Sequence, residues 1–192
     1  MKSPVTLDLK ISRLMLTVKI MAHWSEIFCR FAGVDAQTRW QKRSLALKAE
    51  DLIGTWRLRS WKNVGSDGSE VHPLGEKPIG YIFYNHDGYM AVEFMAAGRL
   101  PYQEPDVFGG TLQERSEAIS TYISYAGPFE ILPDQDTLIH HIEICSYPNW
   151  IGNAQVRYAK LEGDVLVLST KPMTFQGVTR SAELVWERVG PD

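Results

Sequence analysis

Cysteine is nearly absent from this 192-residue chain: Cys29 and Cys145 stand far apart in unrelated contexts. With no Cys-x-x-Cys or finger-type spacing, a disulfide framework and a structural zinc module are disfavoured, and the thiols read as reduced, as in a cytoplasmic protein. Also lacking are a Gly-x-Ser-x-Gly elbow, a Gly-x-Gly-x-x-Gly turn after a strand and a phosphate-cradling loop; Gly109-Gly110 is only a loop. Nucleotide cofactors and hydrolase triads fall away with them, and no cofactor is expected. No membrane span is expected either. The apolar run Leu14-Met15-Leu16-Thr17-Val18 is short and bracketed by Lys10, Arg13 and Lys19, which suits neither a bilayer span nor a secretory core.

Charge is unevenly spread. Residues 1–48 hold nine Lys/Arg and three Asp/Glu (+6), and the remainder 11 and 20 (−9), which together make the net −3. An acidic body argues against nucleic acid as a partner. Residues 1–48 are expected to be a helical or irregular N-terminal extension, with helix-compatible spacing over 24–31. A mitochondrial presequence is the alternative, opposed by scarce Ser and by Asp8. A start near Met21 would make the segment an artefact. Residues 49–192 are expected to form one domain, given an ordinary 44% hydrophobic content.

What is present is a series of strands. Residues 53–63 are Trp-rich and alternating, and end at Gly65-Ser66-Asp67-Gly68, a turn signal. Residues 79–84 and 89–94 pair as a hairpin across His86-Asp87-Gly88. Residues 111–125 read as a helix: Leu112, Ser116, Ile119, Tyr122 and Ile123 share a face, Thr111 and Glu114 form a capping box, and Gly127-Pro128 stops it. Strands resume over 129–132, 137–146, 154–161, 165–170 and 181–188. About eight strands and one inserted helix predict a mainly β fold, a single meandering antiparallel barrel. Gly54-x-Trp56 on its first strand and Trp186-x-Arg188 on its last would seal the base, an indole plugging it and a guanidinium stacked on the indole.

Polar chemistry concentrates in His140-His141-Ile142-Glu143-Ile144-Cys145. Strand alternation puts His141, Glu143 and Cys145 on one face, and His140, Ile142 and Ile144 on the other. Inside a barrel, Glu143 would hold His141 in one tautomer and make it a base. On an outer face the same two residues are only a solvated pair, and the apolar Leu138, Ile142 and Ile144 compete for the interior. His-x-Glu-x-Cys also offers three metal ligands, but other strands supply no second half, so no metal is expected. Arg157, with Gln155, would face His141 and Glu143 and stabilise an oxyanion, or form a salt bridge with Glu143. Tyr122 and Tyr125 would lie near the barrel mouth, as phenol donors or as core.

These residues resemble the lipocalin-like domain family of bacterial and fungal proteins. The likeness runs from Leu52-Ile53-Gly54-Thr55-Trp56 through Pro73-Leu74-Gly75, Asp87-Gly88-Tyr89-Met90, Tyr125-Ala126-Gly127 and His140-His141-Ile142-Glu143. It continues over Pro148-Asn149-Trp150-Ile151-Gly152 and Gln155-Val156-Arg157 to Trp186-Glu187-Arg188. It covers roughly 50–188; the N-terminal segment and Cys145 depart from the pattern. The resemblance implies a calycin-type barrel with a hydrophobic pocket, and a role among the cofactor-free cyclases or isomerases of natural-product biosynthesis. The expected activity is thus isomerisation or cyclisation of a hydrophobic polyketide or terpenoid intermediate. His141 and Glu143 would move a proton, and Arg157 with Tyr125 or Asn149 would hold an oxygen. Trp56, Phe83, Tyr122 and Trp150 would shape the wall. A non-catalytic carrier of a small hydrophobic molecule is the rival, and nothing in the residues specifies a homodimer, although edge strands would support one.

Overall fold

In a computed structural model of the chain, residues 47–132, 136–175 and 177–190 are described. The readings made on the N-terminal segment, Cys29 included, lie outside them. The described chain opens with a short helix, α1 (Ala49–Leu52), followed by β1 (Gly54–Gly65), β2 (Glu70–Val71), β3 (Ile79–Tyr84) and β4 (Tyr89–Met95). Helix α2 (Leu112–Ser120) precedes β5 (Tyr122–Leu132), β6 (Thr137–His141), β7 (Ile144–Cys145) and β8 (Ala154–Glu162). The last strands are β9 (Val165–Ser169), β10 (Met173–Phe175) and β11 (Val178–Arg188). Hydrogen bonds link β1, β3, β4, β5, β6, β8, β9 and β11 in that order, and β11 pairs back onto β1. The result is a closed eight-stranded antiparallel barrel, as the strand pattern predicts. Closure leaves the barrel no free edge.

The seam is also the sealed base. The β1–β11 ladder runs from Trp56 opposite Arg188 to Gly65 opposite Arg180. Trp56 is wholly buried, and its indole N–H donates to the Leu52 carbonyl at 2.8 Å. The Arg188 guanidinium lies 4.0 Å from the Trp56 ring centre and donates to the carbonyls of Ile53 at 2.8 Å and Asp51 at 2.6 Å. One cation thus covers the plug and satisfies carbonyls that α1 leaves open at its end. Gly54, at φ +127°, makes room: a Cβ there would stand 3.4 Å from the guanidinium on a backbone that L side chains rarely adopt.

A bulge in β1 decides what lies above the base. The register with β11 slips between Leu58 and Ser60, so the inward set changes from Trp56 and Leu58 to Trp61 and Asn63. Without that extra residue, two tryptophans five positions apart would face opposite sides of the sheet.

Two expectations need correction. The helix ends at Ser120 and Tyr122–Leu132 is one strand. The capping box forms as expected, Thr111 Oγ1 accepting from Glu114 N at 3.2 Å and Glu114 Oε2 from Thr111 N at 2.7 Å. But Tyr122 to Pro128 pair residue for residue with Met95 to Tyr89 of β4, and that ladder overrides local helical spacing. Gly127-Pro128 therefore sits mid-strand, where a Cβ on Gly127 would collide with the His141 carbonyl oxygen. No residue of α2 is buried, so its apolar face does not feed the core. The strand reading over 137–146 also breaks: β6 ends at His141, and β7 pairs with β5 at Tyr125 and Ala126.

Replacing Arg188 with Ala should lower unfolding stability by about 2–3 kcal/mol, from the loss of charge-assisted hydrogen bonds and the indole contact. Lys should restore only part, since it lacks the planar fork. Urea unfolding measures this; a loss below about 0.5 kcal/mol, typical of a plain surface change, would show that the base holds without the stacked pair.

Candidate functional site

Above the base the barrel holds a pocket walled by Trp61, Phe94, Trp150 and Trp186, with aliphatic side chains from β3, β5, β9 and β11. Its polar members are Tyr125, Arg157 and Thr170. Atom-free space amounts to about 550 Å³ with the open mouth included, whereas the volume open to the centre of a water molecule is only about 60 Å³. The larger figure counts solvent at the mouth, so the smaller describes the room inside this slot. Half-buried Ile123, Trp150 and Met173 mark where the slot meets solvent.

Trp150 arrives by a local route. Pro148–Trp150 is a 3-10 turn, and the indole stands edge-on to Tyr125 (5.8 Å, 79°) and to Tyr147 (5.8 Å, 82°). Arg157 is 7% exposed on β8, opposite Leu138 of β6. Its Nη1 donates to the Val156 carbonyl at 3.0 Å and the guanidinium donates to the Tyr125 hydroxyl.

Behind Tyr125 lies a buried chain of hydrogen bonds. His140 is fully buried; its Nδ1 is 3.3 Å from the Tyr125 hydroxyl and its Nε2 3.0 Å from that of Tyr84. A guanidinium can only donate, so Tyr125 accepts from Arg157. The direction of the two His140 contacts follows the imidazole tautomer. Burial, and then the Arg157 charge, hold the His140 imidazole well below its usual 6.5, so it is neutral. Burial raises both phenols, Tyr84 the more strongly. Neither His140 nor Tyr84 lines the slot; they orient Tyr125, which does.

Of the residues expected at the site, Tyr125, Arg157 and Trp150 come together. The others do not. His141 is exposed, its Nε2 3.0 Å from the equally exposed Glu130 carboxylate, and Glu143 is exposed. Leu138 and Ile142 pull their own face of the strand inward, and His140 goes with them. Arg157 and half-buried Gln155 accordingly face His140 and Leu138 rather than His141 and Glu143, and Arg157 forms no salt bridge with Glu143. Ile144 is exposed because the strand breaks before it. Phe83 is on the outer side of β3, stacked on Tyr81 at 6.1 Å, since Ile82 and Tyr84 take the interior. Tyr122 is half-buried under Arg99. Asn149 is exposed and donates to Tyr147 at 3.0 Å. Trp56 belongs to the base. Among the described residues no three His, Cys, Asp or Glu side chains gather as a metal site, and no helix is long and apolar enough to cross a membrane.

A closed antiparallel barrel with an indole-plugged base and an apolar slot above it is a lipocalin-type architecture. The chain belongs to the lipocalin-like domain family, which it matches over residues 53–189. It is also similar to the 4'-hydroxy-3'-methoxypropiophenone carrier protein of Aspergillus oryzae, 32% identical over 108 residues that cover 52% of this chain and 96% of that protein. No solved structure matches it.

The buried imidazole has a consequence for stability. Unfolding exposes His140, which then binds a proton near pH 6.5, whereas the folded state keeps it neutral. Its contribution is therefore complete above 6.5 and is lost as pH falls from there toward the depressed folded value. The charged or titratable groups facing it are Tyr84 on β3, Tyr125 on β5, Arg157 on β8 and its neighbour His141. His140→Gln should thus lose less stability than wild type between pH 7 and 5, by on the order of 1 kcal/mol per pH unit. Parallel urea curves at the two pH values measure this, and identical losses would place a charged imidazole in the folded state.

Proposed function

We propose that the protein binds a small, flat, hydrophobic molecule in the barrel slot and carries it without transforming it. One observation carries this reading: among the described residues, the slot is lined by no carboxylate, imidazole or amine. Proton transfer at neutral pH needs a group that changes protonation there. The phenol of Tyr125 is pushed up and the imidazole behind it is pushed down, so neither acts as a base on a ligand. His141 and Glu143 stand outside the slot. What remains is an apolar wall for affinity and a few donors for orientation, the usual composition of a small-molecule site.

The slot's small volume and aromatic wall favour a small aromatic ligand over a bulky polycycle. The similarity to a carrier of 4'-hydroxy-3'-methoxypropiophenone supports a phenolic aryl ketone as the first candidate. Isomerisation or cyclisation is the second reading, supported by the Arg157–Tyr125–His140–Tyr84 chain. It would require Tyr125 to donate a proton to a ligand oxygen, with His140 positioning it.

Three tryptophans in the wall make binding visible. Titration with 4'-hydroxy-3'-methoxypropiophenone should quench tryptophan fluorescence saturably. Ala182→Leu, which fills the slot from β11, should weaken binding about tenfold or more by overpacking, while His141→Ala leaves it unchanged. The ketone should be recovered intact by chromatography. Product that forms with wild type and not with Tyr125→Phe would sink the carrier reading in favour of the second. Absence of any saturable quench would remove this ligand class.

A further inference from the structure

Three of the polar groups facing the slot, Arg157, Trp186 and Thr170, have a proton to give it. Arg157 has only N–H donors. The Trp186 indole N–H is a buried side-chain donor with no partner among the described residues, and Trp186 lines the slot. Thr170 Oγ1 accepts the Ala182 N–H at 3.0 Å, which leaves its own proton to give. Tyr125 accepts from Arg157 and is engaged with His140 at 3.3 Å.

Arg157 is the most demanding of these groups. It is buried, it cannot shed its charge, and among the described residues it forms no ion pair. Its interactions are with a neutral phenol and a neighbouring carbonyl. An interior cation without a counter-charge is costly to keep, and an apolar side chain of similar length would be cheaper. The missing negative charge is a property of what the slot takes.

We infer that the ligand is a weak acid held as its anion, a flat apolar molecule whose phenolic or enolic oxygen is deprotonated and set against Arg157. A second acceptor oxygen, such as a ketone carbonyl, would meet the Trp186 N–H. The balance is simple: the ligand's O–H bond breaks, its electron pair stays on oxygen, and the proton goes to solvent because the slot wall contains no base. This rests on the reading of the slot as a small-molecule site, and goes beyond it in naming the ligand's charge.

The test uses the full-length protein, the phenolic ketone above, its O-methyl ether, and 4-ethylbenzoate as an anionic aromatic that is not a ketone. Bound phenol should show its phenolate absorption band at a pH about one unit or more below that at which the free probe ionises, and the ether should bind about tenfold or more weakly, one pKa unit being a factor of ten. Arg157→Met should lose both the band and the preference while its melting temperature stays level or rises. Arg157→Lys should retain part of each. A phenol bound in its neutral form, with the ether binding equally well, would overturn the anion assignment and leave the carrier reading standing. Binding of 4-ethylbenzoate alone would support the anion site and remove the aryl ketone. Failure of all three probes would overturn both, and a melting temperature for Arg157→Met several degrees below wild type would make the guanidinium structural and overturn the assignment.

Discussion

Pairing of the first barrel strand with the last is the constraint on which everything else depends. Until β11 lies along β1 there is no interior, only a curled sheet with two open edges. Closure places Arg188 over Trp56 and so makes the base at the same moment as the seam. The β1 bulge then divides the enclosed space. Trp56 and Leu58 serve the base, and Trp61 serves the slot four ladder steps from Trp56, about 13 Å at roughly 3.3 Å per residue. A single extra residue lets one strand supply an inward indole to each level.

Above that base the interior contains two kinds of matter that tolerate each other poorly. The apolar wall of Phe94, Leu184 and Trp186 stabilises the fold simply by leaving water. The Arg157 charge opposes it, because an ion taken into such surroundings loses several kcal/mol of hydration. The hydrogen-bonded phenols and imidazole offset part of that loss by polarising one another. They do not neutralise the charge. A barrel selected for stability alone would place Met or Leu at 157, and the proposed anionic ligand is what would account for the guanidinium.

The barrel was legible in the sequence because its signals are local. Gly and Asp turns bound the strands, Thr111 and Glu114 cap α2, and the tryptophans with Arg188 mark the two sides of the seam. The reading failed where a distant partner overrides a local pattern. Residues 122–125 have acceptable helical spacing, but seven consecutive pairings with β4 make them strand. Tyr125 is expected on a helix, and its side chain instead points inward from β5 and lines the slot. Phe83 differs from its expected place by one step of alternation and Tyr122 by the helix reading of 111–125, and strand parity alone does not say which of two faces is inside.

The adjacent histidines make that last point most directly. Chemistry favoured His141, which has carboxylates within reach; packing favoured His140, whose face-mates are Leu138 and Ile142. Burying two aliphatic side chains is worth several kcal/mol, at about 1.5–3 kcal/mol each, whereas an exposed His–Glu pair is worth less than about 1. The aliphatic pair wins, and His140 is carried into a place where it can remain only as a neutral, hydrogen-bonded group. Its neighbours are driven the same way, the phenols up and the imidazole down, each away from neutral pH. Catalysis by proton transfer depends on a group that two protonation states share almost equally near the working pH. This interior has moved its titrating groups out of that range and kept one fixed positive charge. Such an arrangement would hold an oxygen well and exchange protons with it badly, which is the physical argument behind the proposed carriage.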